Sequence, residues 1–328
     1  MILLQILLGL IGALHAAAAY FYFSKERYAG PWATAWLAFT ALGLWSLPQW
    51  PLTSSLIFGG AVAAWTYWWE TIPALAARNW VAEDARQATA VIAGERLRVH
   101  DLRNFSWRGP HEFTSCWEDR CYDLATLTAV DLFVCTWGDP RIAHLIVSFV
   151  FKDTKPLAFS IETRRETSEK WSILAGFMKS YELIMLAADE RDVIRVRSNV
   201  RGESVHRYRL LLTAVMQRQL LVRYIDALND IAAQPRYYNT GYRNCTTEVV
   251  RILRAAGRAI PLDWRLLVSG YVPAYLYQHG LLARTQSFAA LQDAADIAAQ
   301  ARLANESADF SARIRSPVGP APDHDGAT

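Results

Sequence analysis

The chain has 328 residues, 52% of them hydrophobic, and a formal net charge of +3. That length allows one large or two modest domains, and the hydrophobic share is high for a soluble protein, with the excess gathered at the front. So small a charge, with no Lys/Arg stripe interleaved with aromatics, gives no case for a nucleic-acid partner.

Residues 1–23, MILLQILLGLIGALHAAAAYFYF, carry no charged side chain and are long enough to cross a bilayer. A cleaved signal peptide is the competing reading: Ala16–Ala19 resemble a cleavage region, but the basic n-region is missing. Residues 32–50 and 52–69 are two further uncharged apolar stretches, with Trp, Tyr and Phe toward their ends as in interfacial belts. Pro48 and Pro51 suit a tight turn between them. Three membrane helices within residues 1–72 are therefore expected. Lys25 and Arg27, beside Glu26, would by charge bias pull the first loop, and with it the following domain, to the cytoplasmic side.

From residue 79 the pattern becomes that of an α+β domain. ATAVIAGERLRVHDLRNFSW alternates apolar and polar residues around a glycine turn, which predicts a β-hairpin. His100 and His111 in this region read as solvated or structural histidines. Cys116 and Cys121, five apart, are either a small disulfide loop or two unrelated thiols. No C-x-x-C pair or His-x-x-x-His spacing occurs, so no metal is expected, and the lack of a phosphate-cradling glycine loop argues against a nucleotide; no cofactor is expected.

Strands are predicted at 130–136, 144–151 and 157–163, the last two joined by the turn signal KDTKP. A turn centred on residue 154 sets 146 opposite 162, so His144 and Glu162 share a face one diagonal step apart. A carboxylate there would orient the imidazole and support its charged form. The bland alternative pairs Glu162 with Arg164 in solvent. Residues 205–212 resemble a strand, and apolar positions 215, 216, 220, 221, 225, 228 and 231 recur at helical spacing over 213–234.

Pro235 ends that helix and delivers the chain to YYNTGYRNCTTEVV, where a polar, glycine-containing turn enters a short helix with Cys245 at its first position. Free N–H groups and the positive end of the helix dipole favour thiolate there. Asn244 is the expected N-cap, with Glu248 closing a capping box. The alternative is a buried cysteine that merely packs. Beyond Pro261, DWRLLVSGYVPAYLYQHGLL is aromatic and apolar, residues 285–312 read as an Ala-rich helix, and the tail from about 313 is too polar to order itself. The expected domains are a catalytic α+β domain over 79–283, a C-terminal helix over 284–312 and a disordered tail over 313–328.

WRGPHEFTSCWEDRCYDL, VDLFVCTWGDPRIAHLIVSFVF, LAFSIETRRE, YELIMLAADERDVI, YYNTGYRNCTTEVV and DWRLLVSGYVPAYLYQHGLL together resemble the Lnb N-terminal periplasmic domain family over residues 79–283. The resemblance implies bacterial lipoprotein N-acyltransferase-like activity and a main domain on the periplasmic side of the inner membrane, against the charge bias. The order of His144 and Asn244-Cys245 is also similar to that of permuted papain-like thiol enzymes of the lecithin:retinol acyltransferase class, with Ser160 or Glu162 as third member. On this reading Cys245 attacks a phospholipid ester and His144 acts as base, then acid. The backbone N–H of Cys245, with Asn239 or Tyr238, stabilises the oxyanion, and a lipoprotein or other amine accepts the acyl chain. The rivals are a papain-like cell-wall peptidase or amidase, a lipid hydrolase, and a non-enzymatic membrane-bound binding or assembly module.

Overall fold

The computed structural model describes residues 2–23, 28–255, 261, 263–266 and 268–316. It contains two compact units: Met1–Val81, Thr163–Leu183 and Gln234–Arg243 in one; Ala82–Glu162, Ile184–Ala233 and Asn244–Thr328 in the other.

The first unit is built on three helices, α1 (Ile2–Tyr22), α2 (Ala29–Ser46) and α3 (Pro51–Thr71). They fall where the apolar stretches predict helices. The chain turns at residues 47–50, and Pro51 starts α3, where its missing N–H costs nothing. α1 meets α2 through small residues: a side chain at Gly12 would lie 2.3 Å from the Thr40 side chain, and Ala16, Ala18 and Ala19 are buried. Such seams let helix backbones approach closely. Among the described helices one, α1, is long and apolar enough to cross a bilayer, by length and composition. Lys25, Glu26 and Arg27, which carry the charge bias, lie outside the described residues.

The second unit is mixed α and β. Its strands are β1 (Thr89–Ala93), β2 (Arg96–Arg103), β3 (Ser106–Gly109), β4 (Glu112–Thr114), β5 (Trp117–Asp123), β6 (Leu127–Thr136), β7 (Ala143–Phe151), β8 (Leu157–Arg164), β9 (Glu182–Asp189) and β10 (Ser204–Arg209). The main sheet runs β1-β2-β9-β8-β7-β6-β10, with β5 also paired to β2, while β3 and β4 form a separate hairpin. The predicted β1–β2 hairpin turns at Gly94, whose φ of 62° suits the absence of a Cβ. Every residue of β9 is buried, as expected of a strand covered on both faces.

Helices follow as α4 (Glu190–Val193), α5 (Ala214–Ala233), α6 (Cys245–Ala255), α7 (Val272–Gln278), α8 (Phe288–Ala295), α9 (Ala298–Ala304) and α10 (Phe310–Arg313). α5 packs on β1, β6 and α6. Its Tyr224 ring lies 5.4 Å from Phe149 and 5.2 Å from Phe159. Another core cluster joins Phe133, Ile146, Ala158, Ala188 and Val205 to Ile297, Ala301, Phe310 and Ile314.

Two expectations need correction. The Ala-rich helix over 285–312 is three short helices, because Asp296 bridges to His206 and Ile297 N–H donates to Val205 O, burying Ile297. The tail does not begin at 313: Ile314 is buried and Arg315 is ion-paired to Glu190 and Asp131, while residues 317–328 lie outside the described residues. Of the two readings left open for Cys116 and Cys121, unrelated thiols is the one the structure bears out: both are free and exposed. Most of the stretch between them is extended in β5, which separates five residues by roughly 16 Å, beyond the reach of a disulfide.

Candidate active site

β7 and β8 form the predicted antiparallel hairpin with a shifted register. Ile146 pairs with Ser160, so the turn centres on residue 153, one earlier than expected. The shift moves pairing by two residues and leaves side-chain parity intact, so His144 and Glu162 still share a face. His144 Nε2 lies 2.7 Å from Ser160 Oγ and 3.1 Å from Glu162 Oε1, and Ser160 Oγ donates to Glu162 Oε1 at 2.7 Å. Both candidates for the third position therefore lie against the imidazole, the serine bridging Nε2 to the carboxylate.

Cys245 opens α6 as predicted. Asn244 Oδ1 accepts from the N–H groups of Thr246 and Thr247, each at 2.9 Å. The reciprocal bond to Asn244 N–H comes from Thr247 Oγ1 at 2.9 Å; Glu248 instead pairs with Arg251 at 2.7 Å, one helical turn along. Cys245 Sγ lies 4.0 Å from Ala143 O, at the residue before His144, and the His144 imidazole and the Leu145 N–H both act on the thiol. With Nε2 engaged by Ser160 and Glu162, Nδ1 is the ring nitrogen left for sulfur.

Electrostatics favour an ion pair. Burial, the strongest influence on His144, opposes its charge, as does the Arg197 guanidinium. The Glu162 carboxylate and the Cys245 sulfur outweigh them and hold the imidazole pKa at about 9. Burial likewise pushes the Cys245 thiol upward, yet the imidazolium and the Leu145 N–H bring it below the ordinary thiol value. Glu162 sits well below the usual carboxylate range: burial opposes its charge, but His144 and Arg197 prevail. Cys135, opposite His144 in the β6–β7 ladder, is the contrasting case, since burial lifts its thiol to about 12. Of these two buried thiols, Cys245 is the one whose surroundings favour the thiolate.

Sequence reasoning missed Arg197. It lies in a π-helical turn, Val196–Val200, a feature frequent at functional sites. Its Nη2 donates to Glu162 Oε1 at 2.9 Å, and its Nη1 to Glu203 Oε2 at 3.1 Å. The residue sits among alternating arginines and aliphatics, and nothing local distinguishes it from Arg195 or Arg201. Tyr238 and Asn239 belong to the helical unit. The Tyr238 N–H donates to Tyr181 O at 3.0 Å. Asn239 Oδ1 accepts from the N–H of Gly241 at 2.9 Å, and its Nδ2 donates to Phe177 O at 3.3 Å, so its amide shapes the turn. Among the described residues no group of three or more His, Cys, Asp or Glu side chains is placed to hold a metal ion.

No curated protein and no solved structure matches the chain. The family model of the Lnb N-terminal periplasmic domain matches residues 113–270. That family is a periplasmic one, and the apolar α1 precedes the matched segment, as in a membrane-associated periplasmic protein. Residues 113–270, which include both His144 and Cys245, belong to the Lnb N-terminal periplasmic domain family.

Proposed function

We propose that this chain is a membrane-anchored thiol acyltransferase with a permuted papain-like site, its main domain on the periplasmic side of the inner membrane and α2 and α3 lying in the bilayer beside α1. One observation carries the reading: the sulfur at the start of α6 lies 4.0 Å from Ala143 O and acts electrostatically on the adjacent His144 imidazole, whose Nε2 is held by Ser160 and Glu162. The substrate class rests on the family resemblance and on the apolar α1, which would keep the site beside lipid at high effective concentration. Val249 and Val250, one turn along α6 from Cys245, also line a narrow apolar seam with Leu132, Val147 and Leu253. That surrounding suits an acyl chain better than a polar peptide.

In the proposed reaction the Cys245 thiolate adds to the ester carbonyl of a phospholipid, and the Cys245 N–H at the helix start stabilises the oxyanion. The C–O bond then breaks, His144 protonates the departing alkoxide, and a lyso-phospholipid leaves a thioester on Cys245. An amine, such as a lipoprotein N-terminus, attacks the thioester while neutral His144 removes its proton, and the thiolate departs with the amide formed. Glu162 supports the imidazolium at the first stage, and Ser160 keeps Nδ1 turned toward sulfur.

Mass spectrometry of the purified chain after exposure to phospholipid tests this. An acyl adduct on Cys245, lost in Cys245→Ala and discharged by an amine, is the expected result. Discharge by water alone would make the chain a hydrolase. No adduct, together with an unchanged cellular phenotype for Cys245→Ser, would leave the non-enzymatic module standing.

A further inference from the structure

The helical unit carries an apolar feature that the acyl chemistry does not use. Between 171 and 177 the chain exposes Trp171, Ile173, Leu174 and Phe177, each by 42 to 62%, and neighbouring Tyr242 by 67%. So many large apolar groups on one short loop form the kind of patch that marks a contact surface. The loop is braced rather than slack. Tyr181 Oη donates to Lys170 O at 2.7 Å and accepts from Ser172 N–H at 2.8 Å, closing the neck. At the tip Thr240 Oγ1 donates to Ile173 O at 3.2 Å and Thr240 N–H to Gly176 O at 3.0 Å. With its carbonyls held inward, the loop turns its apolar side chains outward.

Its place in the unit indicates what covers it. Lys179, two residues past the loop, donates to Trp69 O at 2.5 Å and lies 5.5 Å from the Trp69 ring. Trp69 belongs to an aromatic girdle at one end of the three helices: Tyr22 lies 5.7 Å from Trp68 and 5.6 Å from Trp69, and Phe23 lies 5.8 Å from Trp32. Such girdles settle at the level of lipid headgroups. The two segments that carry the loop and Tyr242, Thr163–Leu183 and Gln234–Arg243, hold six Arg and Lys against three Glu, a balance that suits anionic headgroups.

We propose that the 171–177 loop, with Tyr242, inserts into the leaflet that meets the Tyr22 end of α1 and docks the chain on an anionic phospholipid surface. The inference rests on α1 lying in a bilayer, and is independent of thioester chemistry. A loop seated in the leaflet ties the turn that leads to Cys245 to the lipid surface through Thr240 and Asn239.

The test places a nitroxide at Leu174→Cys, and separately at Trp171→Cys, in the full chain carrying Cys116→Ser, Cys121→Ser and Cys245→Ser. The chain is reconstituted in vesicles of phosphatidylethanolamine and phosphatidylglycerol, with Leu10→Cys in α1 and Val91→Cys in β1 as references. The expected result is several-fold greater relaxation by oxygen than by a water-soluble nickel chelate at 174 and 171, as at Leu10, and the reverse at Val91. An aqueous reading at 174 and 171 with Leu10 in lipid overturns the docking loop and leaves the anchor intact. Shielding from both relaxants also overturns it, because protein then covers the patch. An aqueous Leu10 would sink the membrane reading and the loop with it.

Discussion

Replacing Glu162 with glutamine tests the electrostatic core of the site, because it removes one charge while keeping an oxygen that can accept from Ser160. The imidazole of His144 is held at about 9 against an ordinary 6.5, which corresponds to roughly 3 kcal/mol in favour of the charged ring. Glu162, 3.1 Å from Nε2, is the foremost group acting in that direction, and burial and Arg197 both act against it. Without the carboxylate only the sulfur still supports the ring charge, so the thiolate population at neutral pH should fall by on the order of 10- to 100-fold. The assay is the rate of Cys245 alkylation by iodoacetamide, followed by whole-protein mass from about pH 5 to about pH 10, with Cys116 and Cys121 replaced by serine. The native site should alkylate quickly from mildly acidic pH up to the region near 9 where His144 loses its proton. The variant should react slowly at neutral pH and gain rate only in alkali. Superimposable profiles would refute the claim that Glu162 sustains the ion pair.

Ser160→Ala removes the bridge between Nε2 and Glu162 and should slow Cys245 alkylation about 5-fold, the equivalent of one hydrogen bond of roughly 1 kcal/mol. Arg315→Met strips the guanidinium from Glu190 and Asp131, both fully buried, and should lower stability by about 3 kcal/mol in urea titrations. Asp192→Asn disrupts the buried acceptor of Arg103, the Phe105 N–H and the Trp107 indole N–H, and should cost a comparable 3 kcal/mol or so by the same measurement. In acid, Glu162 makes a contribution of definite sign. Its folded-state pKa lies well below 4.5, so the stability it supplies is present above that value and is lost as pH falls through the folded one. Glu162→Gln should therefore show a shallower loss of thermal midpoint than the native chain below about pH 4.5, measured by circular dichroism.

The sequence by itself determined whatever depends on neighbours a few residues apart. Helices α1 to α3, the Gly94 hairpin, α5 and the Asn244 cap of α6 follow from periodicity and from turn chemistry written within one or two turns of chain. Even the pairing of His144 with Glu162 survived a misplaced turn, because a shift of two residues preserves the face on which each side chain stands. Tertiary structure decided the rest. Residues far apart in sequence are brought together in Cys245 against His144 and in Arg197 behind Glu162. Packing also splits the C-terminal helix at Ile297 and holds Arg315 against two buried carboxylates. Such choices come from burial and charge pairing across the fold, where the cost of an unpaired buried ion exceeds any local preference.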